Sequence, residues 1–196
     1  MTTVYFVRHA KPVHGHKDDR TRPLTEEGIR DSEAVLEVLK DKRIDVFLCS
    51  PYKRSLQTIQ STAEYFHKEI FIDERFRERE CGIDGNGSDG FKKRWADKDY
   101  HEEGGESIHM VQKRNVAALK EALQKYQDKC LVIGTHGTAL SSIINYYMPS
   151  FGVEDFLRII DWMPYVLEMQ FNGQESIGMT EIVHIYKEYV KETPNQ

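Results

Sequence analysis

Six short runs rich in β-branched or aromatic residues, at residues 4–7, 45–49, 70–72, 130–134, 166–171 and 182–186, alternate with stretches of helical period along this chain. Each run is bounded by polar or turn residues, so each predicts a strand. Strands that alternate with helices need crossover connections, and these lay helices on both faces of a mainly parallel sheet. The expected fold class is therefore α/β, a three-layer α/β/α sandwich. The first helix opens at Thr25, an N-cap, with Glu26 and Glu27 in its first turn, Leu24 and Ile29 at the staple positions, and Val35, Leu36 and Leu39 along its buried stripe. The second is expected to start with Ser50 as cap and Pro51 as first residue, followed by Leu56, Ile59, Ala63 and Phe66. A third covers roughly 107–126, with Val116, Leu119, Leu123 and Tyr126 on one face. A fourth begins at Thr138 or Ala139 and ends near 148–149, and a short fifth spans 153–160. Residues 81–105 follow no clear period and are read as an irregular insertion over the crevice. Residues 192–196 are read as a frayed tail. One domain over 1–196 is expected, since a chain this long buries roughly 70% of its unfolded surface.

Composition narrows the partners. Apolar residues make up 39% and charged residues 30%, and the net charge of −5 is spread with both signs mixed. No broad basic face for nucleic acid is implied. No apolar segment approaches the ~20 residues that cross a bilayer, and residues 1–11 lack the features of a signal peptide. Cys49, Cys81 and Cys130 are odd in number and show no Cys-x-x-Cys spacing. They read as free thiols, so the expected compartment is reducing and cytoplasmic.

The first strand runs into Arg8 and His9, and the fourth into Thr135, His136 and Gly137. In open α/β sheets the carboxyl ends of parallel strands converge on one crevice, where ligands bind. Two strands ending on histidine can bring two imidazoles together with Arg8 alongside. Arg54, in the first turns of a helix whose N-terminus favours anions, adds a second guanidinium. Imidazole with guanidinium suits a phosphoryl group: one attacks, the other neutralises charge. Glu78, between the third strand and the insertion, is a candidate proton donor, with Glu80 two residues away.

These motifs, in order, resemble those of the histidine phosphatase superfamily, the phosphoglycerate-mutase-like enzymes. Phe6-Val7-Arg8-His9-Ala10 resembles the nucleophile motif, and Pro23-Leu24-Thr25-Glu26-Glu27-Gly28 the "PLT..G" helix start. The stretch from Ser50 to Thr58 is similar to "SS..R..QT", and Glu78 with Gly82 to "E...G". Gly104-Gly105-Glu106-Ser107 resembles "GGES", and Thr135-His136-Gly137 the second-histidine motif. The resemblance covers about residues 4–147. It implies His9 as nucleophile, Glu78 as acid, His136 as stabiliser, and Arg8 and Arg54 as binders of the phosphoryl oxygens. It implies no metal and no cofactor, and a small phosphorylated metabolite as partner. The chain departs from the pattern at Ala10, Lys11 and Gly15, where the family has Gly, often Glu, and Asn. Those positions bear on substrate identity.

Three alternatives remain open beside a phosphomonoester phosphatase. One is a phosphoglycerate mutase, which generally carries longer insertions and a C-terminal extension. Another is a phosphate-binding module without turnover. The third is a metallohydrolase, suggested by His14-Gly15-His16-Lys17-Asp18, although Asp19 stands where the next His belongs. The string from Gly85 to Gly90 matches G-x-G-x-x-G but lacks the preceding strand and following apolar helix of a dinucleotide site. Arg20 and Arg22 either add positive charge at the crevice mouth or remain solvated loop charges.

Overall fold

The computed structural model describes residues 1–83 and 88–188. Strands β1 (Thr2–Arg8), β2 (Val46–Cys49), β3 (Ile70–Ile72), β4 (Cys130–Thr135), β5 (Trp162–Asn172) and β6 (Glu175–Tyr186) form one sheet in the order β3-β2-β4-β1-β5-β6. The first four in that order pair in parallel, while β5 runs antiparallel to both β1 and β6. Only β5 is reversed, so the sheet is mainly parallel. The helices are α1 (Glu26–Leu39), α2 (Lys53–Tyr65), α3 (Ser88–Ala96), α4 (Ile108–Lys125), α5 (Gly137–Tyr147) and α6 (Val153–Ile159).

Strand β1 shows why both faces are covered. Tyr5 and Val7 pack with Val35 and Leu39 of α1 and Ile59 and Ala63 of α2. Val4 and Phe6 point the other way, into a core with Leu119 and Leu123 of α4 and Leu140 and Ile143 of α5. A strand buried on both sides carries no polar alternation, which is why residues 4–7 read as one apolar run. Each such buried side chain contributes roughly 1.5–3 kcal/mol. The helix following β1 lies on one face and the helix following its neighbour β4 on the other. The crevice opens between those two strand ends.

The sequence expectations need four corrections. Helix α2 begins at Lys53 with Tyr52 as N-cap, not at Ser50, because the Ser50 N–H still extends the ladder by donating to Gly134 O at 3.0 Å. The α1 start has its cap, Thr25 Oγ1 accepting from Gly28 N at 2.9 Å, but not its staple: Ile29 stays 43% exposed. Gly28 makes the close contact instead, since a Cβ there would sit 2.3 Å from Lys11 O. Within residues 81–105, α3 is helical, and its Phe91 meets Phe156 of α6 edge-on and its Trp95 meets the same ring at a tilt, with centroids 5.3 and 5.8 Å apart. Strands β5 and β6 run longer than expected and meet at a tight turn where Gly173 adopts φ 60°.

Residues 85–87 of the G-x-G-x-x-G string and the expected tail at 192–196 lie outside the described residues. Cys49, Cys81 and Cys130 are all free thiols. Among the described residues, no helix is long and apolar enough to cross a membrane.

Candidate active site

The register of β1 on β4 sets the geometry. Arg8 lies opposite Thr135, so the residues that follow, His9 and His136, emerge side by side. The His9 N–H donates to Thr135 O at 3.2 Å, and the two rings stand 5.3 Å apart, centroid to centroid. His9 Nδ1 lies 2.8 Å from Ala10 O. A carbonyl only accepts, so this contact fixes the proton on Nδ1 and leaves Nε2 with its lone pair. His136 Nε2 meets Ser50 Oγ at 2.7 Å, while its Nδ1 is buried without a hydrogen-bond partner. Arg8 donates through Nη1 to Ile159 O at 2.6 Å, and its Nε is likewise buried without a partner.

Arg54 closes the opposite side. Its side chain is only 4% exposed, it donates to Asp19 O at 2.6 Å, and the Asp19 carboxylate stands 3.1 Å away. Tyr52 sits under the guanidinium at 5.0 Å and edges onto the His136 ring at 5.1 Å. Thr58, one turn further along α2, accepts from Ala10 N at 3.0 Å and donates to Arg54 O at 2.7 Å. One threonine thus ties the loop after His9 to the helix carrying Arg54. At the mouth, Arg20 forks onto Glu74 and Arg22 pairs with Asp19, so both loop arginines are ion-paired. His16 bonds Thr21, Asp18 accepts from Thr21 and Arg20 N, and the described residues gather no group of three or more metal-ligating side chains.

Glu78 reaches the N-terminus of α5. Its two oxygens accept from Thr138 N and Ala139 N, each at 3.1 Å, and from Arg79 N at 2.8 Å. That places the carboxylate beside His136, which is the N-cap of α5, and within the field of Arg8. Glu80 turns outward to Arg77 at 3.8 Å with half its side chain exposed. Gly82 and Gly105, from two separate motifs, pack on each other: a Cβ on Gly105 would fall 2.8 Å from Gly82 N.

The electrostatics follow from burial among cations. Burial, then Arg54 and Arg8, push the His9 pKa well below its usual value. Burial, Arg54 and His9 do the same to His136. Burial lowers Arg8 to about 10 against the pull of Glu78 and Asp161, so it keeps its charge at neutral pH. All five residues singled out in the sequence as site candidates therefore meet at one crevice. The partners are less legible in sequence: Ser50 and Thr58 fall on the motif that resembles "SS..R..QT" without their contacts being readable from it, Asp19 stands where a metal-ligating His would belong, and nothing local marks Tyr52.

Two imidazoles biased toward their neutral form and held between guanidinium groups, at the carboxyl end of a doubly covered sheet, make a cationic crevice of the kind that suits a phosphoryl group. The chain is a phosphoryl-transfer enzyme. The family model for the histidine phosphatase superfamily (branch 1) matches residues 4–162, and the chain belongs to that superfamily. It is 29% identical over 152 residues to an uncharacterized phosphatase, PhoE, of Bacillus subtilis, covering 74% of this chain and 76% of that one. It is 26% identical over 162 residues to a probable phosphoglycerate mutase, GpmB, of Proteus mirabilis, covering 74% of each. A mutant phosphoserine phosphatase from Entamoeba histolytica, solved in complex with phosphoserine, shares the fold with a TM-score of 0.75 at 21% identity, over 94% of this chain and 96% of that one.

Proposed function

We propose that the protein is a metal-independent phosphatase that hydrolyses a small phosphomonoester through a phosphohistidine on His9. The carrying observation is the fixed His9 ring, whose Nδ1 is engaged by Ala10 O while Nε2 faces a cationic pocket. Nε2 attacks phosphorus, forming the N–P bond as the bond from phosphorus to the ester oxygen breaks. Arg8, Arg54 and His136 take the equatorial oxygens and stabilise the charge of the transition state. The unpartnered Arg8 Nε and His136 Nδ1 are what an anion would satisfy. Glu78 gives its proton to the departing alkoxide, then receives one from the water that cleaves the phosphohistidine, so phosphate leaves and the enzyme is restored. The side chains supply the positive charge, and no step calls for a metal or cofactor. Phosphatases among the relatives and fold neighbours support hydrolysis over transfer, and phosphoserine in the Entamoeba complex supports a small phosphorylated metabolite.

The test is to trap the intermediate. Brief incubation with a radiolabelled phosphomonoester should label the protein with an acid-labile, base-stable bond, and His9→Ala should abolish it. Label on Ser50 or Cys49, or no label during turnover, would overturn the mechanism. Release of orthophosphate without any bisphosphorylated activator separates this reading from a mutase. Rapid interconversion of phosphoglycerates with little phosphate release would reverse it.

A further inference from the structure

We infer that Arg114, on α4, is a positioning residue for Glu78: its guanidinium holds the main chain that aims the acid. The inference rests on Glu78 being the general acid. All five guanidinium N–H groups are spent on this task. Nε donates to Glu106 Oε1 at 2.9 Å and Nη2 to Glu106 Oε2 at 2.8 Å. Nη1 donates to the carbonyls of Arg75 and Arg77 at 2.8 and 2.7 Å, and Nη2 also to the carbonyl of Glu78 itself at 2.9 Å.

The segment it holds is tied further along by Glu106 N donating to Glu80 O at 3.0 Å, by Ile83 N donating to Glu103 O at 3.2 Å and by the buried Arg79. The carbonyls of Arg75 and Arg77, however, are met by Arg114. After a single 3-10 turn at Glu74–Phe76, residues 77–83 belong to no helix or strand. Residues 77 and 78 lie in no strand, so Arg114 supplies the donors that a neighbouring strand would give their carbonyls. Glu106 completes the clamp by accepting Glu80 N at 2.9 Å and Arg77 at 2.7 Å. The carbonyl of residue 78 and the amide of residue 80 are thus both anchored, which sets where the Glu78 side chain leaves the backbone. Only then do its oxygens meet the α5 N-terminus. Burial opposes ionisation of Glu106, but Arg114 and Arg77 hold its pKa down at about 2, so the clamp stays charged through the working range. A planar fork is needed to reach three carbonyls and a carboxylate together, and an ammonium does not replicate it.

The experiment compares kcat/KM for glycerol phosphate, whose alkoxide needs a proton, with para-nitrophenyl phosphate, whose phenolate does not. It uses wild type, Glu78→Gln, Arg114→Gln and the double variant. Arg114→Gln should lose roughly tenfold or more on glycerol phosphate, with a change of under about threefold on the nitrophenyl ester. The double variant should be no worse than Glu78→Gln alone. Competitive inhibition by orthophosphate should be unchanged, because Arg8, Arg54 and His136 are untouched. If Arg114→Gln does not fold by circular dichroism, Arg114→Lys is read in the same assay and should show the same substrate selectivity at smaller size. Equal losses on both substrates, or additive losses in the double variant, overturn the inference. Selectivity in Glu78→Gln but not at Arg114 sinks the positioning role alone. No selectivity in Glu78→Gln sinks the general acid and this inference with it.

Discussion

His9 and His136 titrate far from where exposed imidazoles do, and that has two measurable consequences. On the proposed mechanism His9, kept neutral by burial and by Arg54 and Arg8, remains competent as nucleophile below the usual histidine range. The acid limb of kcat/KM assigned to the enzyme should therefore fall below pH 6.5, measured with a substrate whose own phosphate ionisation is corrected for. Stability moves in the opposite sense. Below pH 6.5 the unfolded chain protonates both imidazoles and the folded chain resists, so unfolding takes up protons and stability declines as the pH drops. Urea titrations at pH 7 and pH 5 should show this, and His136→Asn should flatten the slope; an unchanged slope would argue against a buried neutral His136. Ser50 is the smallest side chain with a stake in the site. Its hydroxyl, 2.7 Å from His136 Nε2, fixes the ring, and Ser50→Ala should lower kcat by roughly tenfold, the worth of one hydrogen bond. Little change in kcat would mean the ring is held by Tyr52 alone.

At the scale of elements, what was legible was whatever a local pattern writes. The cap at Thr25 could be read because capping needs only neighbours in sequence. The strand-end histidines could be read for the same reason. The start of α2 could not: Ser50-Pro51 has the form of a cap, but the ladder bond to Gly134 and the contact with His136 come from residues more than eighty positions away. Helix α3 is not legible in sequence because its apolar face is little more than Phe91 and Trp95, which pack on one ring of α6, Phe156. The reversed direction of β5 left no mark in its composition. The join between α1 and the nucleophile loop yields a contrast in variants. Thr25→Ala should cost about 1 kcal/mol of stability and leave activity largely intact. Gly28→Ala drives a methyl against Lys11 O, two residues past His9, and should cost about 1–3 kcal/mol while also lowering kcat. A thermal melt beside an assay decides it; equal effects on activity would detach α1 from the site.

For the whole molecule, the separation of phosphatase from metallohydrolase is a matter of where the positive charge comes from. Activity should survive prolonged chelation, and His16→Ala should keep most of it; loss that zinc or manganese restores would favour the metal reading. The cationic pocket draws on most of the chain, from Arg8 near the start to the Ile159 carbonyl that holds it. Strand β1 precedes the other five strands, yet its two neighbours in the sheet, β4 and β5, come after residue 129. On the ribosome, the segment bearing His9 must wait for residues 130–135 to emerge before it has a strand to pair with. Pairings this distant in sequence are slow to form and leave apolar strands exposed meanwhile. A nascent chain stalled before β4 would thus carry Arg8 and His9 on a strand lacking both of its sheet neighbours, and the cationic pocket closes only once the chain through Ile159 has been made.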